Sequence, residues 1–312
     1  EWLSADGKYP YVLHYGPSKN DSTSVEKRKN TDVQHLRLEG AAYGKISQTS
    51  RADMRLYYYR SERGLPGATI FYNTDNASKQ RLWDKTFFAQ AHYRNDFSET
   101  WAIQANAKYN YGYQHYLDPT YLNSAGKLEN FYRQHEGYGS VALLYNPYPA
   151  LQVSAATDLT SATLDANLYN FVYPRRITLQ SAIAAKFVSE KMTATANVLY
   201  TQTDEKAKNG DAAENHRKVS PCIALAVRPF DDIDLHFRTF YKNIFRLPTF
   251  NDLYYSLVGK RDLKPEDAQQ VGFGLTYGIS GAKALSLLSF TADAYRNTIK
   301  NKIVAVPVKN MF

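Results

Sequence analysis

The chain has 312 residues, with 38 Lys and Arg against 30 Asp and Glu, for a formal charge of +8. That length admits one large domain or two ordinary ones, and the cations are scattered instead of gathered into an arm, which argues against nucleic acid as a partner. The single cysteine, Cys222, excludes an internal disulfide framework.

In chain order, the elements read as antiparallel strands. Candidates fall at roughly 33–44, 51–60, 83–94, 100–113, 137–146, 150–158, 176–187, 192–200, 217–228, 232–242, 267–277 and 285–297. The clearest is "TWAIQANAKYNYGY", from Thr100 to Tyr113. Trp101, Ile103, Ala105, Ala107, Tyr109, Tyr111 and Tyr113 share one face, against Thr100, Gln104, Asn106, Lys108 and Asn110 on the other. Ala102 is the one apolar intruder on the polar side. A period of two held this long exceeds the usual strand of five or six residues. An aromatic stands at each end of the apolar face, as in an interfacial girdle. Arg176–Phe187, Met192–Tyr200 and Asp232–Lys242 repeat the pattern.

The connections carry a second signal. Short turns are expected at 95–98, 146–149, 189–191, 229–232 and 279–283, and long ones at about 61–82, 113–136, 159–175, 204–216 and 243–266. They alternate. A soluble sandwich has no reason to send every long loop to one edge, whereas an outer-membrane barrel keeps periplasmic turns short and extracellular loops long. Mean hydropathy is only −0.51, and transmembrane strands are compatible with that because alternate residues face away from lipid. Tyrosine, at 26 residues against 3 Trp, suits half-wet interfaces. The expected fold is all-β, a segment of an antiparallel transmembrane β-barrel in the outer membrane, with membrane lipid around it. Its ends read as those of a piece of a larger barrel.

The long stretch "FRLPTFNDLYYSLVGKRDLKPE" has neither a helical nor an alternating period. Phe245, Arg246, Pro248, Asn251, Leu253, Tyr254, Tyr255, Gly259, Leu263, Pro265 and Glu266 in it resemble the "FRxPxxxELYY…G…xLKPE" signature of TonB-dependent outer-membrane receptors. "SERGLPGA" (61–68) and "RLWDKTFFAQ" (81–90) are similar to receptors of this family from Bacteroidetes-type bacteria.

The resemblance implies a 22-stranded barrel filled by a plug, with residues 1–312 supplying part of the barrel and no plug. It implies energy from a TonB-type complex acting through that plug, and it leaves room for a surface lipoprotein as a partner. No enzyme activity and no resident cofactor or metal are expected. Gln104, Asn106, Lys108, Asp234 and Arg238 would face the plug. The transported ligand would be cobalamin or a ferric siderophore. Haem is the alternative, weakened because no histidine lies between Pro248 and Leu263, with His115 and His135 as candidate axial ligands. Loop aromatics Tyr72, Tyr116, Tyr121, Tyr169 and Tyr173 are the other ligand candidates, since a flat ring offers large contact area at little entropic cost. Tyr254 and Tyr255 read as anchors of their loop. Loop calcium would fall to Asp204, Glu205, Asp211 and Glu214, or to the "DDID" turn at 231–234. A passive porin or adhesin barrel and a soluble carbohydrate-binding β protein are the rival classes.

Overall fold

The computed structural model describes residues 1–16, 22–67, 78–255, 259–282 and 285–304. Among the described residues there are fifteen strands and one short helix. The first strands are β1 (Trp2–Ala5), β2 (Pro10–His14), β3 (Thr23–Lys27), β4 (Val33–Lys45) and β5 (Ser50–Leu65). Next come β6 (Gln80–Asp96), β7 (Trp101–Asp118), β8 (Leu128–Tyr148), β9 (Leu151–Ala166) and β10 (Pro174–Val188). The last are β11 (Met192–Ala207), β12 (His216–Val227), β13 (Asp234–Arg246), helix α1 (Phe250–Tyr254), β14 (Glu266–Ala282) and β15 (Leu285–Lys300).

All twelve expected strands are present, as β4 to β15. They run in one antiparallel sheet of 13 strands, in the order β1-β4-β5 and then consecutively to β15. β1 pairs with β4, and the separate hairpin β2–β3 lies within the connection between them. These three short strands were not expected. A four- or five-residue segment is too brief to establish a period.

Most strands also outrun their expected ends, chiefly toward the long connections, although β14 runs five residues further toward its short turn. β7 continues to Asp118 and β8 begins at Leu128. β8 has 21 residues, which at a 45° tilt rise about 50 Å, well past a hydrocarbon core of about 30 Å. Beyond the bilayer both faces are wet, so the alternation fades while the ladder goes on. The extension shortens the long connections to 66–79, 119–127, 167–173, 208–215 and 247–265. Long and short connections still alternate, and 6–32 joins the long set.

Register assigns the faces, because partners across a ladder point the same way. Gln104, Asn106 and Lys108 pair with Ala142, Ser140 and Tyr138, and with Arg94, His92 and Gln90. Asn106 sits in a polar chain, 2.8 Å from His92 Nδ1 and donating to Ser140 Oγ at 3.0 Å. This is the inner face. The opposite face exposes Trp101, Tyr109, Val141, Leu143, Leu159, Ile183, Val198 and Ile223. An apolar face left open to this extent is stable only against lipid or another apolar surface. Ala102, the apolar residue on the polar side, is buried.

Candidate functional site

The motif-bearing connection folds onto the inner face through its described residues, 247–255 and 259–265. Its base is a clamp: Arg246 and Glu266 are the terminal register pair of β13 and β14, and their side chains form an ion pair at 3.1 Å. The first and last charged residues of the signature thus meet across one rung. Inside the clamp, Thr249 and Asp252 make a capping box that starts α1. Thr249 Oγ1 accepts from the Asp252 amide at 3.2 Å, and Asp252 Oδ2 accepts from the Thr249 amide at 2.8 Å. A threonine cap stabilises a helix by about 0.5–2 kcal/mol. This helix of five residues depends on it and on its packing.

The packing is substantial. Phe250, Leu253 and Tyr254 are buried against Tyr132 of β8, Ala162, Leu164 and Ala166 of β9, and Phe171 and Val172 of the 167–173 connection. Tyr255 stacks on Tyr132 with centroids 4.0 Å apart and planes 10° from parallel. Burial pushes the Tyr255 hydroxyl up to about 12, with the neighbouring Tyr132 and Asp84 adding to the effect. Burial also raises Tyr254, whose hydroxyl oxygen accepts from the Ala213 amide at 3.4 Å. Both rings are spent on the protein itself.

Beneath α1 lies a charged pair that strand periodicity alone does not single out. Arg176 of β10 and Glu205 of β11 are register partners and form a short ion pair. The Arg176 guanidinium also donates to the Pro248 carbonyl at 2.8 Å and sits 5.1 Å from the Phe250 ring centroid. One arginine therefore joins two strands to the loop. Next to it an inner-face groove of ≈ 250 Å³ is lined by Gln134, Glu136, Thr160, Arg176, Thr178 and Phe250. The sequence shows Arg176 on a polar face and Glu205 as an acid near a loop, with no sign that they meet.

The remaining motif residues are placed as follows. Phe245 meets the His216 ring edge-on at 6.2 Å, Pro248 and Leu253 are buried, and Asn251 is exposed. Leu263 packs against the buried cluster, and the Pro265 carbonyl accepts from Asn301 Nδ2 at 3.2 Å.

The other candidates spread over both faces. Tyr116 lies on the inner face, opposite Leu82 and Asn130. Tyr121 and Tyr169 project from the connections 119–127 and 167–173, Tyr169 almost fully exposed at 94%. Tyr173 takes a positive φ of 49° and packs beside the buried cluster, with Lys208 Nζ 5.7 Å from its ring centroid. Tyr72 lies outside the described residues. His115 and His135 belong to the outer face. His115 is stacked between Trp83 and Phe131 at 4.4 and 4.3 Å, and His135 lies 2.8 Å from the Tyr109 hydroxyl. They stand on different rungs, opposite Phe131 and Tyr111 respectively. On the inner face, Asp234 pairs with His236 at 2.8 Å and Arg238 with Asp293 at 3.1 Å. Glycines face these side chains on β14: a Cβ at Gly274 would collide with the Asp293 carboxylate, and one at Gly278 with that of Asp234.

Of the acids considered for calcium, Glu205 is taken by Arg176, and Asp204, its neighbour along β11, points to the opposite face, where it accepts from Gln202 at 3.2 Å. Among the described residues no three His, Cys, Asp or Glu side chains gather as a metal site.

Comparison with known proteins agrees with this architecture. The family described as "TonB dependent receptor-like, beta-barrel" matches residues 19–312. Among solved structures, the copper transporter OprC superposes with a TM-score of 0.67 at 12% identity, over 89% of this chain and 46% of that one. The FrpB iron transporter from Neisseria meningitidis gives 0.67 at 12%, over 94% and 48%. BauA, the ferric preacinetobactin receptor from Acinetobacter baumannii, gives 0.61 at 11%, over 92% and 51%. At such identities the likeness is one of fold, and the chain spans about half the length of these structures. No curated protein matches by sequence. The family and its structural neighbours are receptors and transporters of the outer membrane, not enzymes. With 294 of its 312 residues, 19–312, inside the family match, the chain belongs to the TonB-dependent receptor β-barrel family.

Proposed function

We propose that this barrel belongs to an outer-membrane receptor that captures a bulky metal chelate, a ferric siderophore or cobalamin, and imports it with energy from a TonB-type complex acting on a plug. The observation that carries the reading is the contrast among long connections at one end of the sheet. Phe250, Leu253, Tyr254, Tyr255 and Leu263 are held on the inner wall, while Tyr121 and Tyr169 stand exposed on 119–127 and 167–173. Exposed rings at the mouth suit a large flat or chelated ligand. The buried rings of 247–265 serve as scaffold. The iron and copper transporters among the structural neighbours favour a metal-bearing cargo. The inner residues Gln104, Asn106, Lys108, Asp234 and Arg238 then meet the plug, and a surface lipoprotein is a further candidate partner at the mouth.

The test is titration of the full-length protein with cobalamin, ferric siderophores and haem, paired with uptake in cells with and without the energising complex. Tight binding of a chelate and energy-dependent uptake are expected. Uptake that continues unchanged without the complex would make the barrel a passive pore. Preferential haem binding lost with His115 and His135 would revive the haem alternative.

A further inference from the structure

The outer face carries one rung unlike its neighbours. Arg60, Lys85, Tyr113 and Arg133 are successive register partners across β5, β6, β7 and β8. The three cations are exposed. The Lys85 ammonium lies 5.5 Å and the Arg133 guanidinium 5.9 Å from the Tyr113 ring centroid, so two positive charges converge on one aromatic ring. Among the described residues none of the three cations has a carboxylate within 4.0 Å. Asp165 is the register partner of Arg133 on β9 yet forms no ion pair with it. Glu129 is occupied by Lys127 and His115, and Glu62 by Arg81.

The position of this rung matters as much as its charge. The next outward-facing rung toward the short turns is Tyr58, Phe87, Tyr111 and His135, and below it begins the exposed apolar face with Leu56 and Tyr109. The next one toward the long connections is Glu62, held by Arg81, followed by the aromatic run Trp83, His115 and Phe131. The sequence from the bilayer outward is therefore apolar band, aromatic rung, cationic rung, aromatic rung. A cation that faced hydrocarbon would cost about 2–4 kcal/mol at the midplane and little at the interface. Three of them side by side, directly above an aromatic belt, sit where lipid headgroups begin.

We infer that the Arg60–Lys85–Tyr113–Arg133 rung is a binding site for the phosphate of an anionic lipid in the outer leaflet. The cations supply charge-assisted hydrogen bonds to phosphate oxygens, with Arg offering its planar fork and Lys a point charge. β6 and β8 are two strand spacings apart, about 10 Å, so Lys85 and Arg133 span a headgroup, while the acyl chains run down over Phe87 and Leu56. The inference rests on the outer face meeting lipid, as the membrane-barrel reading requires.

The experiment uses the full-length protein in nanodiscs of phosphatidylcholine alone, with added phosphatidylglycerol, or with added lipid A, and counts lipids retained per barrel by native mass spectrometry. Lys85→Gln/Arg133→Gln is compared with Lys186→Gln, a cation on the inner face. Retention of phosphate-bearing lipid over phosphatidylcholine is expected. It should fall about tenfold in the double variant, stay unchanged in Lys186→Gln, and resist millimolar inorganic phosphate. Equal retention by the double variant, or equal retention of phosphatidylcholine, overturns the site. Displacement by inorganic phosphate would mean a soluble anion is the ligand and also overturns it. Failure of the protein to insert into nanodiscs would instead overturn the membrane reading, so the two outcomes are separable.

Discussion

Arg176 and Arg133 stand near the same end of the sheet, on β10 and β8, but face opposite ways. Arg176 is nearly buried and fully engaged: with Glu205, with the Pro248 carbonyl and with the Phe250 ring. Arg133 is exposed, with its guanidinium 5.9 Å from the Tyr113 ring centroid and no ion pair among the described residues. One residue type does two jobs, and the face decides which. Beneath the loop, where Glu205 is buried, a charge must be paired because solvent is kept from it, and a pair that also grips the loop fixes geometry. Outside, at the edge of a membrane, an unpaired cation is left available for something that is not protein.

The sharpest way to break this contrast is to remove each arginine in turn. Arg176→Ala leaves the Glu205 carboxylate buried without its partner, a change that costs roughly 3–5 kcal/mol. Urea unfolding of the full-length barrel should show that loss, and protease should gain access to 247–265. Arg133→Ala should stay within about 0.5 kcal/mol of the parent, as surface substitutions do. Equal destabilisation by both would mean that the two faces are not different environments.

A smaller effect should follow from the cap. Thr249→Ala removes one acceptor of the capping box and should cost about 0.5–2 kcal/mol, seen as faster amide exchange within 250–255 but not in β13. Exchange rising equally in β13 would show the loop and wall to be a single cooperative unit.

The smallest effect is set by pH. The folded loop holds the Tyr255 hydroxyl near 12 against an ordinary 10.0. Because the folded value is raised, its contribution is fully present below pH 10 and is lost as pH rises through about 12. Ultraviolet titration of the parent against Tyr255→Phe should show one tyrosine ionising late, together with release of the loop. A Tyr255 that titrates near pH 10 would mean it is not packed on Tyr132.

What the sequence made legible follows the same division between faces. Wherever one face meets lipid and the other does not, the period of two is plain: Trp101, Ile103, Ala105 and Ala107 against Gln104, Asn106 and Lys108 place β7 without help. Past the bilayer that contrast disappears, which is why the strand's last residues up to Asp118 read as loop. The helix α1 has only five residues, too few for a period, and its one local sign is the Thr249–Asp252 spacing. The Arg246–Glu266 clamp was visible as two motif residues but not as a pair, since 20 positions separate them and only the register of β13 with β14 joins them. Arg176 and Glu205 are harder still. Each looks ordinary on its own strand, and their meaning comes from a loop that arrives some 70 residues later in the chain. The rung through Tyr113 is legible only once four registers are known, because its members are scattered from Arg60 to Arg133.

The assignment of faces underlies every step above, and one measurement addresses it directly. Single cysteines would be placed at each position from 101 to 109 in full-length protein carrying Cys222→Ala, spin-labelled and reconstituted in vesicles. Relaxation by membrane-dissolved oxygen should be high at 101, 103, 105, 107 and 109 and low at the positions between, with the reverse pattern for a water-soluble nickel chelate. A flat profile along the segment, or high oxygen access at 104, 106 and 108, would contradict the account.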